Sequence, residues 1–387
     1  MKLKNPLFYL LAGLLIMVMN AKGQNAQSTD SKTDDFKPSG VVYGYVYADY
    51  FTKLHADSLN RGIKTQYAGL AQNYNAFAFR RIYLGYDYQI SPKFSTQLTL
   101  ANENDNLDAS GQRTLYIKYA NLRWKNIFRN SDLILGQSAT PFFSQTSEVV
   151  WSYRNVEKTI ADQRGIASSN DFGIALQGKF NDKGDYGYHI MIANGTSQKP
   201  ENNMFKKLYG EVWAKFMDQK LTIDLAGTTE AQNKTTAYNT IKGFVAYQTK
   251  PFTVGVEIVS QNQVSAAQLS KNADQVADAS LVNVTPFGVS VFARGVLVAN
   301  KVNYFARYDS YDPNSNFNAN VTYKTTGMTN YKENFFTGGI DFTPHKNVHI
   351  IPNIWYDQSN SKLNNVSGRA KSDYDLVARV TVNYIFK

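Results

Sequence analysis

The most constraining stretch of this chain is its last, residues 374–387, YDLVARVTVNYIFK. Alternate residues of a β-strand point to opposite faces. One face here is Tyr374, Leu376, Ala378, Val380, Val382, Tyr384 and Phe386, wholly apolar with aromatics at both ends. The other is Asp375, Val377, Arg379, Thr381, Asn383, Ile385 and Lys387, mostly polar. An outward apolar band flanked by aromatic girdles marks a strand of a transmembrane β-barrel. A soluble sandwich strand also alternates, so the weight lies in how often the pattern recurs.

It recurs along most of the chain. Residues 252–258 set Phe252, Val254, Val256 and Ile258 against Thr253, Gly255 and Glu257. Residues 172–180 set Phe172, Ile174, Leu176 and Phe180 against Gly173, Gln177 and Lys179. Sixteen strands can be drawn, near 41–51, 76–89, 94–101, 114–125, 131–138, 171–181, 186–194, 206–217, 220–228, 239–249, 251–260, 286–298, 301–310, 333–342, 347–357 and 373–386. Their connections alternate between short turns and long polar loops, as in barrels with short periplasmic turns and longer outer loops. A sandwich has no reason to keep that order, and a β-helix would carry a fixed repeat, of which there is none. The expectation is an all-β fold, a 16-stranded antiparallel transmembrane β-barrel over 41–387, with both chain ends on the periplasmic side.

The remaining N-terminal residues read differently. Lys2 and Lys4, an apolar run from Pro6 to Asn20 and the small residues around Ala21-Lys22-Gly23 predict a signal peptide over 1–23. Residues 24–40 are polar and aperiodic and predict a flexible periplasmic tail. With the barrel pattern, these features predict a location in the outer membrane of a Gram-negative bacterium. Formal charge is +10; removing Lys2, Lys4 and Lys22 leaves 10 − 3 = +7 for the mature chain. A basic balance favours anionic partners, here lipopolysaccharide phosphates or anionic solutes. The charges are scattered, which argues against nucleic acid. The chain has no cysteine, so disulfides and thiolate chemistry are excluded.

Barrels of 16–18 strands usually enclose an aqueous channel. The expected function is passive diffusion of small hydrophilic solutes, anionic or neutral. The third long connection, 139–170, is the candidate constriction. Its Phe142, Phe143, Val149, Val150, Trp151, Tyr153 and Ile160 suit anchorage against an inner wall. Arg154, Lys158 and Arg164 would then face Glu148, Glu157 and Asp162 across an eyelet; basic rings favour anions and acidic rings cations. From the strands, Arg81, Lys179, Lys215, Lys242, Arg294, Arg307 and Arg379 are expected inward, against Glu211, Asp224, Glu257, Asp309, Asp341 and Asp375. These nearly cancel, so any anion preference is expected to be mild.

Several motifs have a family likeness. Phe79-Arg80-Arg81-Ile82-Tyr83-Leu84-Gly85 resembles the early strand motif of the phosphate-selective porin O/P family. Leu135-Gly136-Gln137 with Thr140-Pro141-Phe142 resembles that family's approach to its third loop. Arg164-Gly165 with Asp171-Phe172-Gly173-Ile174 resembles the return from it, and Ile192-Ala193-Asn194-Gly195 the next strand end. The resemblance implies a 16-stranded outer-membrane porin, often a homotrimer, with its third loop folded into the bore. It carries Arg81, Arg154 and Arg164 over as pore-lining residues. The phosphate-specific branch has an arginine ladder and a lysine cluster in the channel, and no such ladder can be placed here. Tyr384 and Phe386 would serve as the C-terminal signal for the barrel assembly machinery, although the chain ends on Lys387.

Two rivals stand beside this reading. A barrel enzyme needs a nucleophile or paired carboxylates with a base within hydrogen-bond reach. His345 and His349 are four apart, but at a turn and a strand start, where that spacing does not converge on a metal. No catalytic residue, metal or cofactor is expected. The second rival is a non-conducting barrel acting as an adhesin or as a scaffold subunit of a surface complex.

Overall fold

The computed structural model describes residues 36–61, 66–103, 106–324, 330–363 and 372–387. The expected leader and residues 24–35 of the expected tail lie outside the described residues. The strands are β1 (Ser39–His55), β2 (Asn75–Gln89), β3 (Phe94–Glu103), β4 (Tyr116–Phe128), β5 (Ser131–Ala139), β6 (Asn170–Lys179), β7 (Tyr186–Ala193), β8 (Lys207–Phe216) and β9 (Leu221–Ala231). They continue with β10 (Ala237–Gln248), β11 (Phe252–Lys271), the short β12 (Leu281–Val284), β13 (Phe287–Val298) and β14 (Val302–Asp312). The two-residue β15 (Thr322–Tyr323), β16 (Tyr331–His345), β17 (Val348–Ser361) and β18 (Asp373–Phe386) complete the set.

Apart from β12 and β15, each strand pairs antiparallel with its neighbours, and β1 pairs with both β2 and β18. The result is a closed 16-stranded barrel in which no wall strand is left as an edge. Closure satisfies every strand's backbone within the wall, which lipid cannot do.

Alternation sets the two faces as expected. On β18, Val377, Arg379, Thr381 and Asn383 are buried, while Val380, Val382, Tyr384 and Phe386 are exposed. Of the register shifts in the wall, two re-aim charged residues into the bore. Between β1 and β2, Tyr47 pairs with Arg81 but Ala48 pairs with Phe79. Arg80 is the extra residue of a β-bulge, which re-aims side chains locally. Both Arg80 (2% exposed) and Arg81 (1%) therefore point inward, while Phe77 (85%) stays outside. Between β3 and β4, Thr99 pairs with Tyr119 but Leu100 with Ile117, so Lys118 is likewise inserted and buried.

One expected boundary is corrected. The eleventh strand continues to Lys271 rather than ending at 260, and residues 261–285 are not simply a loop. Beyond the wall β11 pairs with β12 and with β15, where Ala267, Leu269, Val284 and Tyr323 make a small apolar cluster. The neutral polar run after Ser260 hid an apolar minority at strand spacing.

The largest apolar clusters lie inside the barrel. Phe142, Phe143, Ile160, Ala161, Ile166 and Ala167 of the third loop pack on Ala226, Val259 and Tyr311 of the wall. Val150, Trp151, Tyr153 and Val156 pack on Phe244, Ala246, Phe292, Phe305 and Ile351.

The outer band can be tested directly. Ile258, 46% exposed in the middle of β11's wall segment, should accept charge poorly. Ile258→Arg is expected to destabilise the lipid-embedded barrel by about 2–4 kcal/mol, read by denaturant titration in vesicles. An unchanged midpoint would mean that this face does not meet lipid.

Candidate functional site

The third loop leaves β5 at Ala139, descends into the bore and returns at Asn170. It carries two short helical turns, α1 (Ser147–Trp151) and α2 (Ile160–Gln163). Ser152, at φ 62°, ends α1 with its N–H on the Glu148 carbonyl. That left-handed turn redirects the chain so that Tyr153 stacks on Phe305, ring centroids 4.3 Å apart. Trp151 meets Phe292 edge-on at 5.2 Å and donates its indole N–H to the Glu157 carbonyl.

A loop inside a barrel has backbone carbonyls that no strand ladder satisfies, and buried carbonyls need donors. Here the wall's cations supply them. Lys242 Nζ donates to the carbonyl of Phe142. Arg294 Nε donates to that of Val150 at 2.7 Å. Arg81 donates to that of Arg154 and Arg80 to those of Asn155 and Val156. Arg379 donates to Val156 at 2.7 Å and Arg307 to Lys158. Gln261 adds a bond to the Ile166 carbonyl.

Carboxylates balance most of these cations. Arg80 pairs with Asp49 at 3.0 Å, Arg307 with Asp309 and Lys242 with Asp224 at 3.1 Å. Near the outer mouth Arg164 is buried between Glu333 and Asp357, with its guanidinium over Tyr311. At mid-bore Arg154 meets Glu148 and Asp162, and Lys158 meets Asp162 and Glu103 of the opposite wall. Burial alone would raise the Asp162 carboxyl, but Lys158 and Arg154 hold it below its ordinary value. Glu157 behaves alike: burial opposes, and Arg81, Arg379 and Arg80 prevail.

The structure brings the expected residues together and divides them. Glu148, Arg154 and Lys158 retain side-chain exposure in the bore, and Arg294 opens onto a cavity. Arg81, Arg307 and Arg379 are covered by the loop they hold, and Arg164, on the loop itself, is buried against the wall. Sequence reasoning missed four participants. Arg80 and Lys118 sit at the bulges, out of phase with the two-residue period. Glu103, the carboxylate facing Lys158, is the last residue of β3, two residues beyond the strand end drawn from the sequence. Tyr67, from the first outer loop, dips inward to pack on Trp355 and accepts from Arg379 at 2.8 Å. Only the doubled arginine signalled its site. His349 bonds Asp341 rather than converging with His345.

The loop packs chiefly against β9–β18. Two polar-lined cavities remain toward the short-turn end of the barrel. One of about 400 Å³ is bounded by Tyr45, Tyr47, Arg154, Arg294, Asp341 and His349 among others. The second, about 540 Å³, lies against β2–β7 beside Gln97, Asn121, Arg123, Lys125, Gln177 and His189.

This architecture defines a class. The barrel with an inward third loop has the fold of outer-membrane porins. The outer-membrane channel DcaP of Acinetobacter baumannii is similar at 10% identity and a TM-score of 0.64, over 90% of this chain and 97% of that one. An anion-selective porin from Comamonas acidovorans is similar at 12% identity and 0.57, over 90% and 100%. OmpT of Vibrio cholerae in a trimer form is similar at 11% and 0.54, over 91% and 100%. At such identities the likeness is one of fold. No family model matches this chain, and no curated protein matches it.

Two predictions concern the loop's seat. Arg164→Ala removes the guanidinium between the buried Glu333 and Asp357 and is expected to cost about 3–5 kcal/mol, measured by thermal unfolding in detergent. A cost under about 1 kcal/mol would place Arg164 in water. The depressed Asp162 and Glu157 carboxyls stabilise the seat fully above their ordinary values and lose that contribution as pH falls through the depressed ones. Quenching of Trp fluorescence by acrylamide should be flat from about pH 8 to about pH 5 and rise below ~4; a rise near neutrality would contradict this assignment.

Proposed function

We propose that this protein is an outer-membrane porin of a Gram-negative bacterium that passes small hydrophilic solutes by passive diffusion, with a mild preference for anions. The observation that carries the reading is the two-sided wall. Apolar residues face out along the strands, and polar cavities persist inside beside a loop anchored across the bore. The anion preference is supported by cations at the cavities. Arg294, Lys250 and Lys125 border them with no carboxylate in ion-pair range among the described residues, against Asp87 and the His349-bonded Asp341. The likeness to the phosphate-selective porin O/P motifs points the same way.

On this reading Glu148, Arg154, Lys158 and Arg294 line the passage, and Arg81, Arg164, Arg307 and Arg379 hold the loop that shapes it. Tyr384 and Phe386 face outward at the end of β18, where an assembly signal would be read. The trimer form of the Vibrio protein supports a homotrimer here, set in lipid and lipopolysaccharide.

Planar-bilayer recording of the purified mature chain tests the reading. Ohmic steps are expected, with anions modestly more permeant than cations at neutral pH. The pair Arg294→Glu and Lys250→Glu should reverse that ratio without closing the channel. If the ratio stays put, those cations do not border the route; if no steps appear, a scaffold or adhesin role takes its place.

A further inference from the structure

The bore contains a tyrosine array that the diffusion of ions does not require. Tyr43, Tyr45 and Tyr47 are successive inward residues of β1, and Tyr83 stands opposite Tyr45 on β2. Their rings make a continuous series: Tyr43 to Tyr45 at 5.7 Å, Tyr45 to Tyr83 at 6.3 Å and Tyr83 to Tyr47 at 6.0 Å. Two hydroxyls are committed, that of Tyr43 to Thr99 and Gln97 and that of Tyr83 to Glu103. Tyr45 and Tyr47, which border the 400 Å³ cavity, have hydroxyls with no hydrogen-bond partner among the described residues.

Across that cavity stand groups that read hydroxyls. Asp341 is oriented by His349 at 2.9 Å and by the Tyr153 hydroxyl at 3.2 Å, and presents acceptor oxygens. Arg294 is a fixed donor, its Nε tied to the Val150 carbonyl. Asn303 offers both a donor and an acceptor there, and Asn383 does so beside Tyr47, its partner on the neighbouring strand. One aromatic side and one side of mixed donors and acceptors match a pyranose, whose C–H faces are apolar and whose rim is hydroxylated. The volume falls within the range of small-ligand sites, about 300–1,000 Å³. A multivalent anion fits less well, because Asp341 sits in the same wall and Arg154 is already matched by Glu148 and Asp162.

We propose that this cavity is a binding station for neutral polyhydroxylated rings, a mono- or disaccharide, with Tyr45 and Tyr47 as the stacking surface and Asp341, Arg294, Asn303 and Asn383 as the hydroxyl-reading groups. It rests on the porin reading and names a solute class for it.

The test is ion current through the reconstituted full chain, titrated with glucose, maltose and inorganic phosphate. Maltose is expected to reduce the current saturably. Tyr45→Ala and Tyr47→Ala should each weaken that block by about three- to tenfold, and Tyr47→Phe, which keeps the ring, should leave it within about twofold. Folding of each variant is checked by heat-modifiable gel mobility. Conductance without saturable sugar block, block by phosphate alone, or block indifferent to both alanine variants overturns the proposal and leaves the porin reading intact. Absence of any conductance removes both.

Discussion

Carbonyl oxygens carried into the middle of a barrel must find donors, because neither lipid nor a strand ladder supplies them. In this protein the donors are Lys242, Arg294, Arg80, Arg81, Arg379 and Arg307, each projecting from the wall onto the backbone of the third loop. Hydrogen bonds from charged donors contribute about 1.5–3 kcal/mol each. Distributed along the descent from Phe142 to Lys158, they hold the loop by its main chain rather than by particular side chains. The loop's aromatics fill the space between those points, against Phe244, Phe292 and Phe305.

That division of labour explains the charge pattern of the bore. Cations buried against carbonyls still need a counter-charge, since an isolated buried ion is costly. Asp49, Asp224 and Asp309 stand beside Arg80, Lys242 and Arg307 for that reason. The groups left facing the cavities are fewer and less evenly matched, and they carry the selectivity proposed above. Structure and permeation thus draw on one set of cations, and Arg294 serves both, its Nε on the Val150 carbonyl and its side chain on the cavity.

Much of the barrel was legible in the sequence. The two-residue period placed all sixteen wall strands and, of the residues expected inward, Arg81, Lys242, Arg307, Arg379, Glu211, Asp224, Glu257, Asp309, Asp341 and Asp375 are buried, because one buried face forces a register; Lys179, expected with them, is exposed at the end of β6. It failed where the backbone departs from that period. Arg80 and Lys118 point inward only because of bulges at their positions, and a bulge leaves little compositional trace beyond a doubled charge. The continuation of β11 past Ser260 was hidden because strands outside the membrane need no apolar band. The loop's descent was legible in its aromatics, but not its partners: the pairing of Arg164 with Glu333 and Asp357 joins residues far apart in sequence. Tyr67 was invisible for the same reason, one of two tyrosines in a largely polar loop, whose role depends on Arg379 opposite it.

The seating of the third loop is the claim on which the rest depends. The chain has no cysteine of its own, so Tyr153→Cys and Phe305→Cys can be introduced together on a silent background at a pair whose native rings stack. Treatment of outer-membrane vesicles with a short bifunctional thiol crosslinker should join the two positions nearly completely, and a membrane-impermeant maleimide should label Cys at 153 far more slowly than Cys at the exposed Val149. Rapid labelling at 153 with no crosslink would mean that the loop stands outside the bore and that the wall's arginines serve some other end.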